Sequence, residues 1–150
     1  MKQHTLSENE LRALYIDFRS NNSKVQLFYE VPVLSRSVDL VEFQTMKRTI
    51  TAIEFKLHDW KRAIEQAQMV SMAFDFIYIC IPKPKTNHTF TQIQEACKSK
   101  NVGLIVYDEI VKEFETLIAC STDHAIWNTQ KEIVVNMLEE KVYESANKNA

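Results

Sequence analysis

Apolar and polar positions change period several times along the chain, and each change marks an element. Leu6-Ser7-Glu8-Asn9-Glu10-Leu11 has the form of a helix start. Ser7 stands as N-cap, Glu10 three residues on completes a capping box, and Leu6 and Leu11 are spaced as a hydrophobic staple. The helix is expected to reach about Ser20 and to break at Asn21-Asn22-Ser23, where asparagine can take the positive φ usually left to glycine. Over residues 24–33, Val25, Leu27, Tyr29, Val31 and Val33 alternate with other residues, the period of two of a strand. Pro32 puts that strand at a sheet edge or ends it. Strands over 37–43 and 49–57 flank the polar segment 44–48, as in a hairpin.

Asp59 is a plausible N-cap for an amphipathic helix whose stripe is Trp60, Ala63, Ile64, Ala67, Val70, Ser71 and Phe74, a fit to a 3.6-residue period. Residues 76–81 are β-branched and aromatic and stop at Pro82-Lys83-Pro84, which reads as a buried strand. A helix over 91–100, a buried strand over 102–107, a further strand over 113–120 and a closing helix over 125–143 complete the pattern, with a loose tail expected from about Ser145. The closing helix carries Ile126, Trp127, Ile133, Val134, Met137, Leu138 and Val142, a face for the core or for a homodimer interface. A hairpin followed by crossover helices predicts an α/β domain with a mixed sheet and helices on both faces.

Composition narrows the chemistry. The 150 residues include a single glycine, Gly103, where an average chain would carry roughly ten. That excludes the dinucleotide fingerprint G-x-G-x-x-G, the P-loop and the G-x-S-x-G nucleophile elbow. Cys80, Cys97 and Cys120 are odd in number and widely spaced, and the four histidines (His4, His58, His88, His124) show no ligand spacing, so neither a disulfide framework nor a zinc site is expected. No apolar run approaches the ~20 residues of a membrane helix, and Met1-Lys2-Gln3-His4 does not lead into an apolar signal region. A cytoplasmic protein of one domain is the expectation. Net charge is −2, but residues 45–101 hold nine basic residues against five acidic ones, a basic middle compatible with a phosphate backbone.

Strand geometry joins three charged residues. Glu54 and Lys56 are two apart on one strand and so project from one face. If the hairpin turns symmetrically about Met46-Lys47, Phe43 faces Ile50, Val41 faces Ala52 and Asp39 faces Glu54. Opposed Cβ atoms lie ~4.5 to 5.5 Å apart, and like charges there are destabilising unless something sits between them. A divalent cation is the natural occupant, and carboxylate oxygens suit Mg²⁺. Lys56 could orient a water or stabilise charge on a phosphate. The plain alternative is a solvated acid beside a cross-strand Glu-Lys pair. Against it, Glu54 and Lys56 interrupt the apolar positions Ile50, Ala52, Ile53, Phe55 and Leu57, where a charge without a partner is costly.

Arg36-Ser37-Val38-Asp39-Leu40-Val41, Ala52-Ile53-Glu54-Phe55-Lys56-Leu57 and Trp60-Lys61-Arg62-Ala63-Ile64-Glu65-Gln66-Ala67, followed by the apolar strand Phe74 to Pro82, together resemble the PD-(D/E)XK, or restriction-endonuclease-like, nuclease superfamily. The resemblance spans about residues 7–107 and leaves 108–150 as a C-terminal helical extension. Val38 stands where the motif's name has proline. The resemblance implies an αβββαβ core, Asp39 and Glu54 as metal ligands, Lys56 as catalytic lysine and Gln66 as a supporting glutamine. It also implies a glutamate from the first helix, matched by Glu10 with Glu8 or Glu30 as substitutes. The function it implies is hydrolysis of phosphodiester bonds, most readily in DNA, with Mg²⁺ or, in its place, Mn²⁺. A non-catalytic nucleic-acid-binding or assembly protein that keeps the fold is the alternative. Lys83, Lys85 and His88 in the loop after the central strand, with Lys61 and Arg62 on the motif helix, are candidate phosphate contacts, a solvated loop being the plain alternative. His58 and Asp59 are near enough to Lys56 in sequence to approach the metal or simply to begin the helix.

Overall fold

In the computed structural model, which describes residues 5–121 and 124–148, the first helix, α1 (Glu8–Arg19), starts where the sequence places it. Ser7 Oγ accepts the Glu10 N–H at 3.1 Å. Three antiparallel strands follow, β1 (Val25–Val33), β2 (Arg36–Gln44) and β3 (Thr49–Phe55). Then come α2 (Trp60–Val70), a 3-10 turn (Ser71–Ala73), β4 (Phe76–Pro82), α3 (Asn87–Lys100), β5 (Gly103–Asp108), β6 (Glu113–Ile118) and α4 (Asn128–Lys148). The six strands form one sheet in chain order. β3, β4 and β5 run parallel, and the remaining neighbours pair antiparallel. This is the αβββαβ order expected, in a mixed sheet flanked by helices and closed by a C-terminal helix. Among the described residues no helix is long and apolar enough to cross a membrane.

Chain direction accounts for the layering. Parallel crossovers are right-handed, and β3→β4→β5 advances the same way twice, so α2 and α3 must lie on the same face. Ala63, Ile64, Ala67 and Val70 of α2 and Ile93 and Cys97 of α3 share one buried cluster with Ile50, Ala52, Ile77, Ile79 and Leu104 of the sheet. Val134, Val135 and Leu138 bring α4 onto the same side. Leu11 and Tyr15 of α1 cover the opposite face with Leu40, Ile53, Phe55, Cys80, Ile105 and Tyr107.

Several expectations shift at element ends. The α2 stripe does not continue as α-helix to Phe74. The helix stops at Val70, tightens into the 3-10 turn, and Phe74 is already extended and fully buried, because the chain must reverse to enter β4. α3 begins four residues earlier than expected, with Thr86 Oγ1 accepting the Thr89 N–H, so His88 lies in its first turn and not in a loop. Residues 145–148 are helical as the end of α4, not a loose tail. Residues 149 and 150 lie outside the described residues.

The glycine deficit is met by other residues. Leu34 and Ser35, with φ of 50° and 63°, make the two-residue turn between Val33 and Arg36, the geometry that matches strand twist but favours glycine or asparagine. Asn101 at the C-cap of α3 takes φ 53°, whereas the Asn21-Asn22-Ser23 break needs no positive φ; there Asn22 Oδ1 accepts the Lys24 N–H at 3.0 Å. The one glycine is required by space. Gly103 pairs with Tyr78 across β4 and β5, and a Cβ at Gly103 would overlap the Tyr78 ring.

Candidate active site at the end of strand β3

The hairpin register is the one the sequence implies, with Phe43 opposite Ile50 and Val41 opposite Ala52. The ladder stops at Leu40 opposite Ile53, just before Asp39 and Glu54. On the other side of β2, Tyr29 pairs with Leu40 and Val31 with Val38, and Glu30 between them takes φ 51°. The alternation slips there: Val38 and Val41, three apart, pack in the same core cluster while Leu40 packs on the α1 side. Such an irregularity re-aims a side chain and ends pairing. Asp39 is the residue re-aimed, and its Oδ2 accepts the Phe55 N–H at 2.8 Å. Its carboxylate thus satisfies a backbone donor of β3 past the last pair with β2.

Glu54 is 4% exposed, among the described residues the one charged side chain in the buried set. Its pKa is raised first by burial and then by the Asp39 carboxyl beside it, while the Asp39 backbone and the Lys56 ammonium oppose the shift. The net effect pushes it up to about 8. Glu54 lines a small cleft of about 210 Å³ together with Arg36, Ser37, Gln66 and Val70. Gln66 reaches it because α2 packs its Ala63, Ile64, Ala67 and Val70 face on the sheet, which leaves the half-buried Gln66 at the margin of that face. Among the described residues, no lysine or arginine forms an ion pair with Glu54.

Lys56 lies one residue beyond β3, donating its N–H to the Cys80 carbonyl at 3.2 Å. Its ammonium meets Glu8 Oε1 at 3.9 Å, from the first turn of α1. Of the three glutamates considered for the first-helix position, Glu8 is therefore the one seen at Lys56. Glu10 serves the N-cap through its backbone N–H, and Glu30 pairs with Arg12 at 3.5 Å. Arg36 and Ser37, which also line the cleft, carry no sequence signal for it. The Leu34-Ser35 turn, which places them at the mouth of the cleft, carries no glycine or asparagine signal.

The phosphate-contact candidates divide by position. Lys61 lies 5.5 Å from the Trp60 ring centroid, and Arg62 donates its N–H to the capping carboxylate of Asp59. Lys83 and Lys85 line a separate cleft beside the first turns of α2 and α3, and Lys83 is shared with Asp108 at 3.7 Å. His88 is exposed on α3. His58 and Asp59 share a shallow cleft with Lys56 and Glu8, and Asp59 Oδ1 caps α2.

The donor set suits a hard divalent cation. Two carboxyls lie together, and burial first and the Asp39 carboxyl next disfavour the charged form of Glu54, an arrangement a cation would relieve. Asp39 keeps Oδ1 outside its bond to Phe55. Among the described residues no group of three or more His, Cys, Asp or Glu is arranged around a common metal position, so the remaining ligands would be waters and substrate phosphate, the usual habit of Mg²⁺.

No protein-family model matches the chain, and no curated protein matches it. Among solved structures, it is similar to the SPO1766 protein of unknown function from Silicibacter pomeroyi, with a TM-score of 0.64 at 12% identity, covering 95% of this chain and 91% of that one. An XisH family protein from Nostoc punctiforme gives a TM-score of 0.49 at 14% identity over 71% of this chain and 96% of that one. A repair endonuclease from Pyrococcus abyssi gives 0.46 at 14% identity over 72% of this chain and 50% of that one. At these identities the first similarity speaks for the fold alone.

Proposed function

We propose that the chain is a metal-dependent nuclease of the PD-(D/E)XK type that hydrolyses phosphodiester bonds, with DNA as the substrate and Mg²⁺ or Mn²⁺ as the cation. The observation that carries the reading is the juxtaposition of buried Glu54 with Asp39 at the end of β3, two residues before Lys56. Asp39 and Glu54 would hold the cation, which supplies a polarised phosphoryl oxygen and a more acidic bound water. Lys56 would supply a positive charge to the attacking water or to the charge developing on the phosphate. Gln66 and Arg36, in the cleft with Glu54, would hydrogen-bond that water or the phosphate. The fold similarity to a structural relative is compatible with this reading and adds nothing about chemistry.

Cleavage of plasmid and oligonucleotide DNA with Mg²⁺ or Mn²⁺ tests it. Lys56→Ala and Asp39→Ala should each lower the rate by about 10²-fold or more; cleavage that survives both changes overturns the site. One observation favours the non-catalytic alternative: Asp39 and Lys56 each have a structural partner, the Phe55 N–H and Glu8. Calorimetric titration separates the two readings, since a protein that keeps the fold without the chemistry should bind no Mg²⁺ or Mn²⁺ at millimolar concentration.

A further inference from the structure

We propose that the cleft beside the first turns of α2 and α3 receives a single unpaired nucleobase of the substrate, so that the site cuts single-stranded or locally unpaired nucleic acid. The inference rests on the nuclease reading and deepens it. The cleft has a volume of about 390 Å³, and more than half of its wall is apolar, with Leu57, Trp60 and Pro84 among its lining. The exposed Lys83 and Lys85 also line it. A largely apolar cleft lined by a tryptophan and two exposed lysines matches a base with its flanking phosphates, because bases stack on aromatic rings while lysine meets phosphate as a point charge.

Position ties the cleft to the candidate chemistry. Leu57 and His58 line both this cleft and the one that holds Lys56. A base seated here therefore belongs to a nucleotide next to the bond presented at Lys56. A base within a duplex cannot enter such a slot without leaving its stack, which costs unpairing and unstacking and is least costly in an unpaired strand. Charge agrees with that choice. The chain is at −2 overall, Glu109 also lines the cleft and Lys83 is shared with Asp108. A short contact with one strand fits this balance better than a long basic track along a duplex. Lys83 is 52% exposed in its ion pair, so exchanging Asp108 for phosphate sacrifices little.

Trp60 and Trp127 are the two tryptophans, so the full chain carrying Trp127→Phe reports on Trp60 alone. Its emission is followed during titration with a single-stranded DNA oligonucleotide and with a fully paired hairpin of the same composition, with Ca²⁺ present to hold back cleavage. Saturable quenching by the single strand, at least tenfold tighter than by the hairpin, is expected. Followed by the anisotropy of a dye-labelled single strand, since these variants lack the reporter, Trp60→Leu should weaken single-strand binding about tenfold, with Trp60→Phe recovering most of it. Lys85→Ala should weaken it severalfold. An unresponsive Trp60, or equal quenching by the hairpin, overturns the proposal. The two failures are distinguishable. If Lys56→Ala abolishes cleavage while Trp60 never responds, the nuclease reading stands and the cleft does not. If Trp60 responds but the parent protein cuts nothing with Mg²⁺ or Mn²⁺, the catalytic reading fails and the base cleft stands.

Discussion

Glu42 and Glu54 sit on neighbouring strands, on opposite faces of one sheet, and have been given opposite surroundings. On the α1 face, Glu42 accepts the Tyr15 hydroxyl and both the Nε–H and Nη2–H of Arg19, at 2.9 and 3.2 Å for the arginine. Burial first, and then the Glu42 carboxylate, hold the Tyr15 phenol protonated as the donor. Every strong group there has a partner of opposite character. On the α2 face, Glu54 is more deeply buried and has a second carboxyl for its neighbour. The first arrangement stabilises the docking of α1. The second costs stability as it stands and would gain from the proposed cation, the pattern of strain expected at a functional site.

The sharpest way to break the comparison is activity. Glu54→Gln should lower metal-dependent cleavage by about 10²- to 10³-fold, whereas Glu42→Gln should leave it within a factor of a few; equal losses in a cleavage assay would erase the distinction. Stability should show the reverse order. Glu42→Ala strands Arg19 and Tyr15 in a half-buried site and should cost about 2–3 kcal/mol in urea unfolding.

Glu54→Gln, by contrast, should stabilise the metal-free protein at pH 8 by about 1–3 kcal/mol. The sign follows from its raised pKa. Between its ordinary 4.5 and about 8 the native state holds a proton that the unfolded state has lost. The contribution of this group is therefore fully present below pH 4.5 and is lost as pH rises through 8. Thermal melts of the two proteins should converge near pH 4.5 and separate by pH 8. Millimolar Mg²⁺ should then raise the melting temperature of the parent and not of Glu54→Gln.

Smaller effects belong to α1, which joins the two regions. Ser7→Ala removes the cap of the helix that carries Tyr15, Arg19 and Glu8, and should cost about 1 kcal/mol. Glu8→Gln, at an exposed pair with Lys56, should change stability by no more than about 0.5 kcal/mol. If it alters cleavage more than tenfold, Glu8 acts on Lys56 in the chemistry and not merely at the surface.

Much of this was legible in the residues because periodicity constrains faces. Val41, Phe43, Ile50 and Ala52 are buried on one side, and a one-residue slip would have turned all four to the α1 face, so the hairpin register followed from the pattern. Ser7 with Glu10, and Asp59, marked helix starts through local hydrogen bonds, which depend on a few neighbouring residues. The Leu34-Ser35 turn and the irregularity at Glu30 and Asp39 were not legible, because neither carries the glycine or asparagine that normally marks such backbone. The start of α3, and with it His88, was set too late for a related reason: the Thr86 cap precedes three polar residues, so the apolar repeat marks the helix only from Phe90 onward.

The sequence by itself determined the order of the elements, the pairing of β2 with β3, and the presence of Asp39, Glu54 and Lys56 at adjoining positions, since each depends on local spacing. Tertiary structure decided how those groups are used. Packing of α2 buried Glu54 and brought Gln66 beside it, the slip in β2 turned Asp39 onto the Phe55 N–H, and docking of α1 placed Glu8, not Glu10, at Lys56. Such contacts join residues distant along the chain, and their free energies depend on burial that forms only when both faces of the sheet are covered.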